Sequence, residues 1–237
     1  MSPASILRGA VIAAGEGSRL PPGTRKPLLE VAGRALLQHT LDRYEAAGIG
    51  RTALIFRESD ADLVEWTRRR YPDLDLEFVV RTTPSSAVSF AEVLRALGPG
   101  RAVVSTVDSV IDPAAFVHFL AAAAALPEDA LVLAVTTWVD DEKPLWVDWD
   151  ETGRVIDLGG KDGRGVTAGI YVAPHDAAAG FDEGPPAPPL RALLAAFFQS
   201  GRPTYAVPVP KVVDVDRPQD VREAEAFLEA RAKEVES

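Results

Sequence analysis

The stretch GAVIAAGEGSRLPPGTRKP, residues 9–27, joins a short apolar run to a glycine-rich loop that ends in two cations and a proline. Ala10 to Ala14 is small, apolar and partly β-branched, which predicts one buried strand. Gly15 and Gly17 follow, and because glycine has no Cβ and tolerates positive φ, backbone N–H groups there can approach an anionic oxygen closely. The stretch therefore predicts a strand followed by a phosphate-binding loop.

The cations of this loop strengthen the prediction. Arg19 follows the second glycine, and Arg25 and Lys26 close the loop, so we expect these side chains to converge on a triphosphate. The spacing is not that of a P-loop, which needs Gly-Lys-Ser/Thr before a helix. Nor is it the dinucleotide fingerprint, whose third glycine would fall at Leu20. The alternative is an ordinary glycine-rich turn with solvated cations.

Composition narrows the class of protein. The chain has 237 residues, 47% hydrophobic and 25% charged, which fits one globular domain over residues 1–237. A formal net charge of -10 argues against nucleic acid or an anionic membrane as a partner. The absence of cysteine excludes disulfides, thiolate metal sites and cysteine nucleophiles. No long apolar run or signal-peptide pattern is visible, so we expect a cytoplasmic protein.

Strand and helix patterns alternate over the first half of the chain. Strands are predicted at 52–56, 76–80 and 102–107, and helices at 35–47, 60–70, 87–97 and 113–126, the last opened by an Asp112-Pro113 cap. From residue 130 the runs 130–139, 145–149 and 154–158 predict an antiparallel excursion, followed by strands at 166–172, 205–209 and 212–215 and helices at 190–199 and 218–236. Parallel strands need crossover helices, so we expect an α/β fold of three layers, α/β/α, with a mainly parallel central sheet and a small antiparallel insertion.

Three carboxylates are candidates for a metal site. Ligands bind beyond the carboxyl ends of such strands, which places Asp108 at the same edge as the glycine-rich loop. A carboxylate near a polyphosphate predicts Mg²⁺ coordination, although Asp108 could also be a simple turn residue. Asp214 and Asp216 alternate along a predicted strand and share one face, so either could be the second ligand. Asp216 also has the pattern of a helix N-cap with Gln219 as its capping-box partner.

The string AAGEGSRL followed by RKPLLEVAGRALLQHTL resembles the signature of the nucleotidyltransferases that activate sugar phosphates and related alcohol phosphates, and also that of the molybdenum-cofactor nucleotidyltransferases. VDS at 107–109, GKDGRGVTAGIYVAP and DVDRPQD resemble further segments of the family. The resemblance implies a Rossmann-like, GT-A-like sheet, with an NTP-binding half at about 1–128 and an acceptor-binding half at about 129–237.

The resemblance also implies roles for individual residues. Arg19 and Lys26 would be catalytic, with Lys26 neutralising the α-phosphate and the incoming phosphate. The metal ligands for Mg²⁺ would be Asp108 and Asp216. The remaining binding residues would be Ala13, Ala14, Gly15, Gly17, Ser18 and Ser86 for the NTP, and Lys161, Gly169 and Tyr171 for a small phosphorylated acceptor. Because a phosphomonoester dianion is already a nucleophile, such a site needs positioning and charge neutralisation but no general base.

Three segments either depart from the family pattern or leave a residue's role undecided. TTPSSAV at 82–88 resembles the serine-containing turn of cytidylyltransferases, which favours CTP slightly over UTP or GTP, with Ser86 reading the base. Gly160 stands where the family has an acidic residue, so Lys161 loses a partner. The aromatic residues Trp138, Trp146 and Trp149 favour a core or a homo-oligomer interface over an acceptor pocket.

The leading interpretation is a Mg²⁺-dependent nucleotidyltransferase that joins an NTP to a phosphorylated sugar or other small alcohol phosphate and releases pyrophosphate. Three alternatives remain at this stage. Molybdenum-cofactor guanylyl or cytidylyl transfer fits the N-terminal signature, and a nucleotide-binding module without turnover would keep the fold. A metal-dependent glycosyltransferase would normally show Asp-x-Asp where this chain has only Asp108.

Overall fold

The computed structural model describes residues 8–138, 144–181 and 186–235. The strands are β1 (Gly9–Ala13), β2 (Glu30–Val31), β3 (Arg34–Ala35), β4 (Thr52–Phe56), β5 (Leu76–Val80), β6 (Arg101–Thr106), β7 (Ser109–Ile111), β8 (Leu131–Thr136), β9 (Trp146–Trp149), β10 (Val155–Leu158), β11 (Gly165–Pro174), β12 (Thr204–Pro208) and β13 (Val212–Asp214). The helices are α1 (Leu36–Ala46), α2 (Leu63–Arg70), α3 (Ser86–Leu97), α4 (Pro113–Ala124), α5 (Leu190–Gln199) and α6 (Pro218–Val235).

The central sheet is mainly parallel, as the sequence predicts. Its main row has the order β12-β8-β11-β6-β1-β4-β5. β1 pairs in parallel with both β4 and β6, β4 with β5, and β8 with β12, whereas β11 runs antiparallel to β6 and β8. The carboxyl ends of β1 and β6 therefore meet at one edge, and the segments that follow them lie side by side.

The predicted antiparallel excursion is smaller than the sequence indicates. The strand expected at 130–139 is β8, which pairs antiparallel with β11 as predicted but belongs to the main row, where its other edge pairs in parallel with β12. The excursion consists of the β9–β10 hairpin, joined to the start of β11 through Gly165 and Val166. The predicted turn at 140–142 lies outside the described residues. An apolar run predicts a buried strand but does not determine its partner.

Alternate residues of the strands point into two apolar cores, one on each face of the sheet. Val11 and Ala13 of β1 pack in the core covered by α1, α4 and α6, while Ala10 and Ile12 pack in the core covered by α3 and α5. This alternation is the two-residue period of a strand, and it gives the predicted three layers.

Local capping sets several helix ends. Asp112 caps α4 by accepting a hydrogen bond from the Ala115 N–H at 2.9 Å, as predicted. A 3-10 turn at Glu58–Asp60 comes before α2, which begins at Leu63 rather than at Asp60. Among the helices of the described residues, none has the length and apolar character needed to cross a membrane.

Candidate active site

The loop after β1 folds back over the 3-10 turn Lys26–Leu28. Gly17 adopts φ 60°, and a Cβ there would lie 3.3 Å from Leu20 Cδ1 and 3.6 Å from Lys26 Cβ. The Leu20 N–H donates to the Gly17 carbonyl at 2.9 Å, and the Leu20 side chain is buried beneath the loop. The positive φ of Gly17 is what favours glycine at this position, whereas a Cβ on Gly15 would meet open space.

Lys26 joins two carboxylates that are far apart in the sequence. Its side chain is only 8% exposed, and Nζ donates to Asp108 Oδ2, just after β6, and to Asp216 Oδ1, between β13 and α6. Burial acts to lower the pKa of Lys26, but the charges of Asp108 and Asp216 outweigh it and raise that pKa. Burial likewise acts to raise the pKa of Asp108, and Lys26 reverses this and holds the pKa below its ordinary value. Both groups are therefore charged at neutral pH.

Asp216 uses its carboxylate for the site and not for the helix. Its second oxygen, Oδ2, accepts a hydrogen bond from Arg19 Nη1 at 2.9 Å. The start of α6 is instead capped by Asp220, whose Oδ2 accepts from the N–H groups of Asp216 at 2.9 Å and Arg217 at 2.7 Å. The predicted capping role of Asp216 with Gln219 is therefore wrong, and Asp220 leaves the Asp216 carboxylate available to Lys26 and Arg19.

Asp214 is a third carboxylate at the same place. Its Oδ1 accepts a hydrogen bond from Ser109 Oγ at 3.0 Å, across the antiparallel pairing of β13 with β7. Although solvent reaches Asp214 through the open side of the site, the surrounding protein and the negative charges of Asp108 and Asp216 raise its pKa to about 7. Both candidates for the second metal ligand, Asp214 and Asp216, thus face one site.

The chemistry of these groups fits a hard divalent cation. Three carboxylates, Asp108, Asp214 and Asp216, face two cationic side chains, Lys26 and Arg19. In the part of the chain that the structure describes, no group of three or more His, Cys, Asp or Glu side chains is arranged to hold a metal ion by itself. Mg²⁺ typically takes one or two carboxylates and completes its shell with phosphate oxygens and water. The donor set therefore fits a metal ion that arrives with a nucleotide.

Gly169 of β11 lies against the residues that hold these carboxylates. Its φ is 68°, and a Cβ there would collide with Ser109 Oγ and come within 2.7 Å of Thr106 Oγ1. The two hydroxyls are themselves hydrogen-bonded at 2.6 Å. Glycine is required at this position so that β11 can approach the turn that carries Asp108.

Arg25 does not join the other loop cations at the site. Its guanidinium binds Asp62 at 2.7 and 2.9 Å and Asp60 at 3.0 Å, and these bonds raise its pKa. Asp60 is only 2% exposed and also binds Arg57, because a buried carboxylate needs charged partners. The prediction that Arg25 converges on a triphosphate is therefore wrong; this side chain anchors the loop to the segment before α2.

Two pockets meet at Lys26, Asp108 and Asp216. The donor pocket, of about 450 Å³, lies between the glycine-rich loop and the start of α3 and is lined by Ala14, Gly15, Glu16, Lys26, Asp108, Thr83, Pro84, Ser85, Ser86 and Ser89 among others. Of the predicted NTP-binding residues, Ala14, Gly15 and Ser86 line it. Ala13 is buried in the core, and Gly17 and Ser18 belong to the loop outside the pocket lining. The Ser86 hydroxyl also accepts a hydrogen bond from the Leu190 N–H at 3.0 Å.

The acceptor pocket, of about 270 Å³, lies on the other side of the carboxylates. It is lined by Arg19, Ser86, Thr106, Asp108, Leu145, Thr167, Gly169, Tyr171, Pro189, Leu190, Arg191, Leu194, Asp214 and Asp216. Gly169 and Tyr171 were predicted here, but Tyr171 is only 5% exposed and packs edge-on against Phe90. Lys161 is exposed and lines neither pocket. Thr106, Thr167 and Arg191 were missed, since a single Thr or Arg carries no sequence signal.

The three tryptophans singled out in the sequence lie in two different places. Trp138 is 49% exposed and lines a side pocket next to Arg19, Asp214 and Asp216. Lys211 Nζ lies 3.9 Å from the centre of its ring. Trp146 and Trp149 lie in the β9–β10 hairpin, where Arg164 stacks 5.9 Å from the Trp149 ring.

The fold and the site are those of an α/β class of enzymes. In this class a glycine-rich loop lies at the edge of a mainly parallel sheet, beside a buried lysine that is paired with carboxylates able to bind a metal ion. Residues 9–166 match the family model described as the MobA-like NTP transferase domain. The chain therefore belongs to this family and is a nucleotidyltransferase, which confirms the resemblance seen in its sequence.

Individual relatives agree with this assignment. The N-acetylmuramate alpha-1-phosphate uridylyltransferase of Caulobacter vibrioides is 33% identical over 238 residues, covering 92% of this chain and 95% of that protein. The CMP-5'-(3-aminopropyl)phosphonate synthase of Streptomyces rubellomurinus is 34% identical over 90 residues, 37% of this chain and 14% of that protein. The solved inositol-1-phosphate CTP transferase from T. maritima has a TM-score of 0.81 at 20% identity, covering 94% and 96% of the two chains. The Rossmann-like fold is thereby confirmed.

Proposed function

We propose that this protein transfers a pyrimidine nucleotidyl group from an NTP to the phosphate of a sugar 1-phosphate and releases pyrophosphate. The bridge from Lys26 to Asp108 and Asp216, between two pockets, is the observation that carries the proposal. The relative that aligns over nearly the whole chain is named for a uridylyl transfer, and the shorter match for a CMP product. These names favour UTP first and CTP second, whereas the serine turn at Ser86 favoured CTP.

In the proposed reaction, an oxygen of the acceptor phosphate attacks the α-phosphorus of the NTP. The bond from that phosphorus to the bridging oxygen of the β-phosphate breaks, and pyrophosphate leaves with the bonding electron pair. Since the attacking group is already an anion, no side chain has to remove a proton. The chain's contribution is to align the two substrates and to neutralise charge in the transition state.

The loop and its cations would hold the triphosphate. Ala14, Gly15 and Glu16 line the donor pocket, where their backbone N–H groups would bind phosphate oxygens, and Arg19 lines the acceptor pocket. Lys26 is the best-placed cation for the α-phosphate because it lies in the donor pocket, is almost completely buried, and retains its charge through Asp108 and Asp216. A buried cation is screened less by water than an exposed one.

Asp108 and Asp216 would hold Mg²⁺, with Asp214 as the alternative second ligand. When bound, Mg²⁺ would neutralise phosphate oxygens of the NTP. Asp108 faces both pockets and Asp216 faces the acceptor pocket, so the two carboxylates would also orient Lys26 toward the reacting phosphates. We expect EDTA to abolish pyrophosphate release and added Mg²⁺ to restore it.

The acceptor would enter between β11 and α5. Gly169 and Tyr171 would form its floor, and the exposed Lys161 would reach it only from outside the pocket. Trp138 offers an aromatic surface beside the carboxylates, suited to the apolar face of a sugar ring. We further propose that the chain works as a single domain in the cytoplasm, where NTPs and sugar phosphates are available, with a homo-oligomer as an untested assembly.

A substrate panel tests the proposal. Pyrophosphate release is measured with UTP, CTP, dTTP, GTP and ATP against glucose 1-phosphate, N-acetylmuramate 1-phosphate, inositol 1-phosphate and phosphocholine. We expect a pyrimidine NTP with a sugar 1-phosphate to give the highest kcat/KM. Turnover of GTP with molybdopterin alone would replace the proposal by molybdenum-cofactor guanylyl transfer.

A further inference from the structure

Arg43 of α1 is a buried cation beneath the carboxylates, outside both pockets. It is 5% exposed, and its Nη1 donates to the Ser109 carbonyl at 2.7 Å. Its guanidinium carbon lies 5.4 Å from the centre of the Phe116 ring and 6.0 Å from that of Tyr44. Neither pocket lining includes it. Arg43 therefore contacts the site from the protein interior and not from a pocket.

Arg43 is a buried charge that uses only part of its hydrogen-bonding capacity. Within the described residues, Arg43 Nε and Nη2 are buried without a hydrogen-bond partner. Burial lowers the pKa of Arg43 to about 10, and the charge of Asp108 opposes that shift, so the side chain stays protonated at neutral pH. A buried charge with unmet donors is costly, and apolar replacements of buried ions often leave a protein as stable or more stable.

Ser109, whose carbonyl accepts the hydrogen bond from Arg43, connects several residues of the site. Its Oγ donates to Asp214 Oδ1 at 3.0 Å and is hydrogen-bonded to Thr106 Oγ1 at 2.6 Å. It follows Asp108 directly, and the Asp108 carbonyl accepts from the Val215 N–H at 3.1 Å. A shift of the Ser109 backbone would therefore move Asp108 and Asp214 relative to each other.

We propose that Arg43 is a positioning residue for the nucleotidyl transfer: through its hydrogen bond to the Ser109 carbonyl, it fixes the turn that presents the Asp108 carboxylate. This inference rests on the proposed metal role of Asp108. It adds to the site a residue that touches neither substrate.

The test compares Arg43→Met with Arg101→Met. Arg101 is a matched control because its Nη1 also binds backbone carbonyls, those of Ala123 and Leu126 at 3.2 Å each, while its Nε and Nη2 are likewise buried without partners. It lies at the opposite end of β6 from the Asp108 turn. Three quantities are measured for each variant: the melting temperature, kcat with the best substrate pair, and the Kd of Mn²⁺ in the presence of UTP by electron paramagnetic resonance.

We expect Arg43→Met to lower kcat at least tenfold and to raise the Kd of Mn²⁺ at least threefold, with an unchanged or higher melting temperature. Arg43→Lys, which keeps a donor and the charge, should recover part of both. Arg101→Met should leave kcat and the Kd of Mn²⁺ within twofold of the wild type. Unaltered Mn²⁺ binding in Arg43→Met would overturn the inference, as would a loss of kcat that only follows a fall in melting temperature.

Two further variants keep the result decisive. If Arg43→Met does not fold, Arg43→Gln replaces it with the same expected losses and the same overturning outcomes. Asp108→Asn distinguishes a failure of the role inferred for Arg43 from a failure of the metal role proposed for Asp108. If Asp108→Asn binds Mn²⁺ as the wild type does, the proposed metal site fails. If Asp108→Asn loses Mn²⁺ and the Arg43 variants do not, only the role of Arg43 fails.

Discussion

The donor pocket and the acceptor pocket share Asp108 but are built differently. The donor side comes from β1, its loop, α3 and β6, all in the first half of the chain, and its central cation is fixed by two ion pairs. The acceptor side is assembled from β11, the segment before β9, the start of α5 and the end of β13, and its predicted contacts are a glycine and a buried tyrosine. The donor lining contains three charged residues and the acceptor lining five, so the two sides differ in how far apart in the sequence their residues lie and not in the presence of charge.

The largest effect is expected from Lys26→Met, which removes the central cation of the donor side. We expect kcat/KM to fall about 1,000-fold, in the range seen when one group that stabilises transition-state charge is lost. The neighbouring Arg25→Met is the control, since Arg25 binds Asp60 and Asp62 away from the site. It should lower the melting temperature and change kcat/KM less than about threefold. Equal losses in the two variants would mean that Arg25 reaches the triphosphate.

Gly169→Ala tests the contact of β11 with the turn that carries Asp108, where the two pockets adjoin. The added Cβ would push against Ser109 and Thr106 and displace the carboxylates, so we expect kcat to fall about 100-fold. Gly48→Ala is matched in backbone, with φ 74° and open space around its Cβ, and should cost about 1 to 2 kcal/mol of stability without changing kcat. Steady-state kinetics and thermal unfolding measure both. A normal kcat in Gly169→Ala would show that β11 can shift to accommodate the added Cβ without displacing the carboxylates.

Trp138→Ala tests whether shape selects the acceptor. We expect the KM for the sugar 1-phosphate to rise about fivefold, the value of one aromatic contact, with the KM for the NTP unchanged. Ile156→Ala, which removes an exposed apolar side chain from β10 instead, should change neither constant. A rise in the KM for the NTP would place Trp138 on the donor side of the comparison.

Lys161→Ala should have the smallest effect. Because this side chain is exposed and lines neither pocket, we expect the KM for the acceptor to stay within about twofold of the wild type. A tenfold rise would show that the β10–β11 turn closes over the acceptor and would restore the role that the resemblance implied.

The sequence predicted local elements better than contacts between distant residues, for a physical reason. Predicted strands 52–56 and 76–80 coincide with β4 and β5, because short apolar runs between turn residues carry a local signal. Asp108 was placed by the rule for strand ends, whereas Asp216 was one of two candidates on a predicted strand and was named by the family resemblance. The parallel pairing of β8 with β12, the ion pairs of Arg25 and the cap from Asp220 depend on partners distant in space or on a choice among nearby acids. No local pattern encodes that choice.

The bridge from Lys26 to Asp216 has a consequence for the newly made chain. The two residues are 190 positions apart, and α6, which follows Asp216, closes on the first half of the chain when Glu225 accepts a hydrogen bond from the Ala32 N–H at 3.2 Å. A ribosome must therefore extend the chain past residue 216 before the lysine can meet its second carboxylate. Until then the early strands can pair, but the site lacks one of its charges. A chain that stops before residue 216 would carry the glycine-rich loop without the carboxylate that pairs with Lys26 and Arg19.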